Sequence, residues 1–117
     1  KTTPYDMALI LRAAVANDTF RKIDTTTSYE FPAIKNAAAH TITMGHKMMY
    51  KTDSRYYEGI IGGKTGYTSK AGNTLVTAVE RDGVRLIAVV MKAKGTHYTD
   101  TKAMLDYGFQ LHAAGKI

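Results

Sequence analysis

GIIGGKTGYTSKAGNTLVTAVERDGVRLIAVVMK, Gly59 to Lys92, is the stretch that decides how this chain folds. Three runs within it carry strand chemistry: Gly59 to Tyr67, Asn73 to Glu80 and Val84 to Lys92. Arg81-Asp82-Gly83 between the last two supplies a Gly-containing tight turn. Val84 to Met91 is apolar almost throughout, which predicts a central strand covered on both faces.

Helices are expected on either side of these strands. Thr3-Pro4-Tyr5-Asp6 reads as a helix start: Thr3 caps, Pro4 suits the first helical position, and Asp6 faces the positive end of the dipole. Met7, Ile10, Leu11, Ala14 and Val15 then recur with helical period and predict one apolar face. Asn17-Asp18 should end that helix, with a short helical piece around Phe20 to Ile23. Thr25 to Tyr29 has strand propensity that Pro32 interrupts. Asn36 to Asp53 is ambiguous, with a helical turn expected over His46 to Tyr50. A closing helix runs from about Thr99 to Ala114, with Met104, Leu105, Gly108, Leu111 and His112 on its inward side. Antiparallel strands with flanking helices define an α+β unit.

Composition narrows the class. At 117 residues the chain is one domain or part of one. Its 44% hydrophobic and 22% charged residues are ordinary for a globular protein. No apolar run nears the ~18–20 residues that span a bilayer. No signal peptide is visible, and the opening residue is Lys1 rather than Met, so a removed amino end is the expectation. Absence of cysteine excludes disulfides and thiolate metal sites. His40, His46, His97 and His112 have no metal-binding spacing, and each is expected at the surface or partly buried. Met44, Met48 and Met49 read as core filler. A net charge of +6 raises a nucleic-acid reading, but the cations are scattered from Lys1 to Lys116 without a dense run.

Gly63-Lys64-Thr65 looks at first like the end of a phosphate loop. That loop needs G-x-x-x-x-G-K-[ST] between a strand and a helix. Its first glycine would stand at position 58, which is Glu58, and Gly66 to Asn73 is turn chemistry that cannot open a helix. The phosphate-loop reading fails. What remains is an edge strand bearing a lysine and a threonine among glycines. Lys64 and Gly66 should point to one side and Thr65 to the other. Glycines at 62, 63 and 66 would keep the edge bare for an approaching ligand backbone. The ammonium of Lys64 and the hydroxyl of Thr65 together suit a carboxylate at the end of an extended peptide. For the triplet alone, a glycine-rich hairpin with a solvent lysine fits as well.

The wider sequence resembles a known family. GGKTGYTSKAGNTLVTAVERDGVRLIAVVM resembles the third active-site region of serine-type D-alanyl-D-alanine carboxypeptidases, the low-molecular-weight penicillin-binding proteins. TTPYDMALI, Thr2 to Ile10, is similar to the helix start after their second motif. TDTKAMLDYGF, Thr99 to Phe109, is similar to the helix that closes their catalytic domain. K-T-G, with S-x-x-K and S-D-N, is the signature of penicillin-binding proteins. The resemblance covers essentially the whole chain and implies a penicillin-binding/β-lactamase-like transpeptidase fold in a bacterial cell envelope, outside the cytoplasm. It also implies a serine nucleophile that cleaves the bond between two D-alanines of a peptidoglycan stem peptide through an acyl-enzyme, with β-lactams as inhibitors and no cofactor. By the same resemblance Lys64 gives electrostatic support, Thr65 binds the substrate carboxylate and Gly66 leaves room for it. The backbone N–H of Tyr67 is a candidate second oxyanion donor, and His97 is a further candidate for the carboxylate where relatives carry an arginine.

The nucleophile has no counterpart here. Ser28, Ser54 and Ser69 are followed three residues on by Phe31, Tyr57 and Gly72, so no S-x-x-K occurs, and S-x-N is absent too. Residues 1–117 are therefore expected to be the carboxy-terminal half of a catalytic domain, inactive alone and completed by the other half or by a swapped copy. A β-lactamase-like fragment shares the K-T-G strand and is one alternative. A small basic module binding nucleic acid or an anionic wall polymer is another, which salt would weaken steeply.

Overall fold

The computed structural model of the protein describes residues 1–35 and 38–117. Asn36 and Ala37, which open the ambiguous segment, lie outside the described residues. The order of elements is α1 (Pro4–Val15), α2 (Asp18–Asp24), β1 (Ser28–Phe31), β2 (His40–Thr43), a 3₁₀ turn (Lys47–Met49), β3 (Ile60–Thr68), β4 (Gly72–Arg81), β5 (Val84–Ala93) and α3 (His97–Ala113). β3, β4 and β5 form an antiparallel sheet in that order, and β1 pairs with β2 in a separate ribbon. This is the expected α+β arrangement, with β2 added.

Capping sets the first two helices as the sequence dictates. The Thr3 side chain accepts from the Asp6 N–H at 3.1 Å, and Pro4 occupies the first turn. Asn17 does not end α1, which stops at Val15; it caps α2 by accepting from the Phe20 N–H at 3.0 Å. In the β4–β5 hairpin, Arg81 pairs with Val84, leaving Asp82 and Gly83 as a two-residue loop at φ of 51° and 77°. Positive φ at both central positions is what this turn requires, and an Asp-Gly pair provides it.

The core is split by the sheet. On one face Leu75, Val79 and Ala88 pack with Met48, Tyr57 and Leu105; on the other Val76 and Ala78 pack with Leu11 and Val15. The alternation along β4 thus feeds both layers. β4, not β5, is the central strand. β5 is an edge, although α1 and α3 both lie against it. A continuous apolar run reports that both faces are covered, and is silent on how many edges are hydrogen-bonded.

Several inward assignments change. Ile10 is exposed while Met7, Leu11 and Val15 face the sheet. In α3, Thr101 and Leu105 are buried, Phe109 is packed against the core, and Met104 and His112 face outward. Gly108 lies so near Leu86 that a Cβ there would come within 2.8 Å of its Cδ1. His46, expected at the surface or partly buried, is fully buried, and its Nε2 shares a hydrogen bond with the Thr77 hydroxyl at 2.8 Å. Of the methionines, Met48 is core, whereas Met44 lines an open groove.

One buried tyrosine carries a testable linkage. The Tyr57 hydroxyl donates to Asp106 at 2.7 Å under the Arg81 guanidinium, 4.3 Å from the ring. Burial, with that hydrogen bond, pushes the phenol up to about 12. Between about pH 10, where the unfolded phenol ionises, and that raised value, stability should fall as pH rises. Tyr57→Phe is expected to cost about 1 kcal/mol at neutral pH and to flatten this alkaline slope. Urea melts at neutral and alkaline pH check both effects.

Candidate functional site

β3 holds the chemistry, and its two faces are sorted by what lies against each glycine. A Cβ on Gly62 would stand 2.8 Å from Val15 and 3.1 Å from Asp24 Oδ2, which places Gly62 on the α1/α2 face. A Cβ on Gly63 would stand 2.8 Å from His46 Cδ2, which places it on the opposite face. Alternation then puts Lys64 with Gly62, and Thr65 with Gly63. A Cβ added at Gly45 would reach the Thr65 hydroxyl at 3.0 Å. Gly62 and Gly63 are therefore bare for packing, not for ligand approach as expected from the sequence. Of the three, only Gly66 is open: a Cβ there would meet nothing nearer than Thr74 Cβ at 3.8 Å.

Lys64, Thr65, Gly66, Tyr67 and His97, the candidates named from the sequence, all line one cleft of about 380 Å³. Gly45, Asn73 and Tyr98 complete its wall. Tyr98 is the residue that ties the cleft together. Its hydroxyl donates to Gly45 O and accepts from the Lys47 N–H, both at 3.1 Å, so the loop before the 3₁₀ turn is pinned to the start of α3. The His97 ring lies 4.5 Å from that of Tyr98, and its Nδ1 is buried with no hydrogen-bond partner among the described residues. Lys94 is exposed and does not line the cleft.

The free edge of β3 supplies the backbone groups. Gly63 pairs with Thr77 across the β3–β4 ladder, yet its N–H is given to Asp24 Oδ2 at 2.6 Å. It therefore points away from β4. In an antiparallel ladder this direction alternates, so the N–H and C=O of Thr65 and Tyr67 also face the outer edge. No strand among the described residues pairs there. The Lys64 ammonium donates to the outward carbonyl of Thr65, which holds its charge at the same edge. Burial raises the Asp24 carboxyl above its ordinary range, against the lowering effects of the Gly63 N–H and the Lys64 charge.

Beside the cleft, on the α2 side, lies a larger groove of about 660 Å³. Ile23, Tyr29, Phe31, Ile42 and Met44 make its walls apolar, and Gly45 and Lys64 belong to both hollows. Sequence reasoning missed this groove because β2 was not assigned. It missed Asp24, His46 and Tyr98 as well, since each acts through a contact between residues far apart in the chain. Among the described residues no three His, Asp or Glu side chains gather to hold a metal, and no helix is long and apolar enough to cross a membrane.

A K-T-G strand at a sheet edge, backed by helices on both faces, defines a class. Residues 1–95 match the model of Peptidase S11, the D-alanyl-D-alanine carboxypeptidases, and the chain belongs to that family. D-alanyl-D-alanine carboxypeptidase DacB2 of Mycobacterium tuberculosis is 36% identical over 123 residues, covering 99% of this chain and 39% of the relative. The crystal structure of a D-alanyl-D-alanine carboxypeptidase from the same organism superposes with a TM-score of 0.78 at 33% identity, over 94% of this chain and 41% of that one. The Streptomyces K15 DD-transpeptidase superposes with a TM-score of 0.82 at 29% identity, over 94% of this chain and 42% of that one. The fold is thus that of the penicillin-binding DD-peptidases, and the chain spans about two fifths of the relatives' length.

Proposed function

We propose that this chain supplies the carboxylate-recognition wall of a serine-type D-Ala-D-Ala carboxypeptidase acting on peptidoglycan stem peptides in the bacterial envelope, outside the cytoplasm. The observation that carries this reading is the free β3 edge, where the N–H groups of Thr65 and Tyr67 face outward beside the Lys64 ammonium and the open position of Gly66. A terminal carboxylate seated there meets a fixed charge and a hydroxyl. A scissile carbonyl further along meets the Tyr67 N–H, one of the two donors that acyl transfer needs for its oxyanion. Lys64 would also polarise the hydroxyl of a second motif. His97 borders the cleft and adds a polar ring to the carboxylate end. β-Lactams, which pair a reactive carbonyl with a carboxylate, would take the same edge.

The 117 residues hold no S-x-x-K or S-x-N, so the nucleophile and its base come from other residues and the chain alone is inactive. The apolar groove beside Lys64 is where a complementing segment would rest, from the remainder of such a catalytic domain or from a swapped copy. Burial of Tyr29, Phe31 and Ile42 there would remove exposed apolar surface.

Titration of the isotope-labelled chain with N-acetyl-D-Ala-D-Ala tests the recognition reading. Amide shifts centred on Thr65, Gly66 and Tyr67 are expected, weakened at least about tenfold by Lys64→Ala and by amidating the peptide's carboxylate, as loss of a charged hydrogen bond implies. Equal binding of acid and amide would refute it.

A further inference from the structure

The free edge of β3 does not run its full length. Asp24, the last residue of α2, reaches across to take the Gly63 N–H at 2.6 Å, one residue before Lys64. Room for its carboxylate is made by Gly62, where a Cβ would stand 3.1 Å from Oδ2. α2 is itself held to the sheet by Arg21, whose guanidinium lies 3.6 Å from Glu80 on β4. One outward donor of the edge, the Gly63 N–H, is therefore consumed by a carboxylate fixed on another element. The next two, on Thr65 and Tyr67, are left to face the cleft.

We infer that Asp24 is a positioning residue that closes the pairing edge of β3 at Gly63 and so fixes the register in which an extended peptide can lie. A peptide carboxylate that slid one strand repeat towards Gly63 would find the donor taken and would face a second negative charge. Repulsion and a missing hydrogen bond both oppose that slip. The selected ligand class is a short extended peptide whose free carboxylate stops beside Lys64. This rests on the reading of the edge as a peptide-binding wall, but the closing of the edge is measurable without ligand.

Amide hydrogen exchange on the native chain, Asp24→Asn and Asp24→Ala is the test. In the native chain the Gly63 amide should be protected although it faces no strand, while those of Thr65 and Tyr67 exchange rapidly. Asp24→Asn keeps an acceptor and should hold the Gly63 protection within about threefold; Asp24→Ala should lose at least about tenfold, with Val76 and Val79 as internal references for global opening. Unchanged protection of Gly63 in Asp24→Ala would overturn the inference. If the alanine variant fails to fold, the native pattern and the asparagine variant decide: rapid Gly63 exchange in the native chain overturns it. With N-acetyl-D-Ala-D-Ala added, the native chain should show no binding-induced shift at Gly63, whereas Asp24→Ala should show one as the ligand extends to the freed donor. A Gly63 shift in the native chain would also overturn it. Absence of any shift at Thr65 and Tyr67 would instead count against the carboxylate-recognition reading, with the exchange result still deciding the role of Asp24.

Discussion

Gly63→Ala should destabilise the chain by about 3 kcal/mol or more, a large part of the ~5–15 kcal/mol that a domain commands. The added methyl would stand 2.5 Å from the Val76 carbonyl oxygen and 2.8 Å from His46 Cδ2. Neither can give way cheaply. Val76 belongs to the central strand, in register with Lys64 on one side and Val89 on the other, and His46 is fully enclosed beneath Gly63. Relief would need β3 to lift from β4, which would also displace the Lys64–Tyr67 edge. Gly66→Ala is the matched control, since a Cβ there meets only Thr74 Cβ at 3.8 Å, an ordinary contact. Its stability should stay within about 1 kcal/mol of native while its added methyl narrows the cleft. Urea midpoints of the two variants make the comparison, and a Gly63→Ala midpoint equal to the native one would show that the β3–His46 packing is looser than described.

The second large effect is acid sensitivity from His46. Its ring is fully buried, edge-on to Tyr98 at 5.9 Å, with Nε2 on Thr77 and Nδ1 unpartnered among the described residues. Burial, with a smaller contribution from the neighbouring His97, holds the imidazole down at about 4 from its ordinary 6.5. In that interval the unfolded chain binds a proton that the folded chain refuses. Stability should be highest above about pH 6.5 and fall on acidification by up to about 3 kcal/mol by pH 4. Asp24 acts in the opposite sense: its raised carboxyl accepts a proton more readily when folded, so it offsets part of the loss. His46→Gln, which retains a polar group for Thr77, should cost stability at neutral pH but remove most of the slope between pH 6.5 and 4. Urea midpoints across that range measure it; a native chain with no slope there would contradict the buried, neutral assignment.

Parts of the fold that obey local rules were legible in the sequence. The Asp-Gly turn, the Thr3 cap and the β4 run each depend on residues a few positions apart, and each stands where expected within a residue or two. Edge and burial assignments depend on what arrives from elsewhere. β5 reads like a central strand because α1 and α3 cover its faces, and nothing in its own residues records the lack of a second neighbour. β2, with the exposed sequence His-Thr-Ile-Thr, has no apolar alternation against a core; it exists because Phe31 and His40 stack at 4.9 Å and the ribbon pairs Ser28 with Thr43.

The candidate site divides the same way. Lys64 to Tyr67 were readable because a strand edge is a local object and the triplet has a family meaning. His97, the candidate where relatives carry an arginine, borders the cleft. Asp24, His46 and Tyr98 were not readable, since an aspartate at a helix end, a lone histidine and a tyrosine beside it have many ordinary roles. Their meaning lies in contacts to Gly63, Thr77 and Gly45, at separations of 39, 31 and 53 residues.

We propose a division of labour in which the K-T-G edge recognises the substrate carboxylate and the nucleophile is supplied by residues other than these 117. Incubating the purified chain with a fluorescent penicillin and resolving it by denaturing electrophoresis tests this most directly. No label should survive denaturation, because no serine here has a lysine one helical turn on to activate it. A covalent fluorescent band on the chain alone would contradict the account.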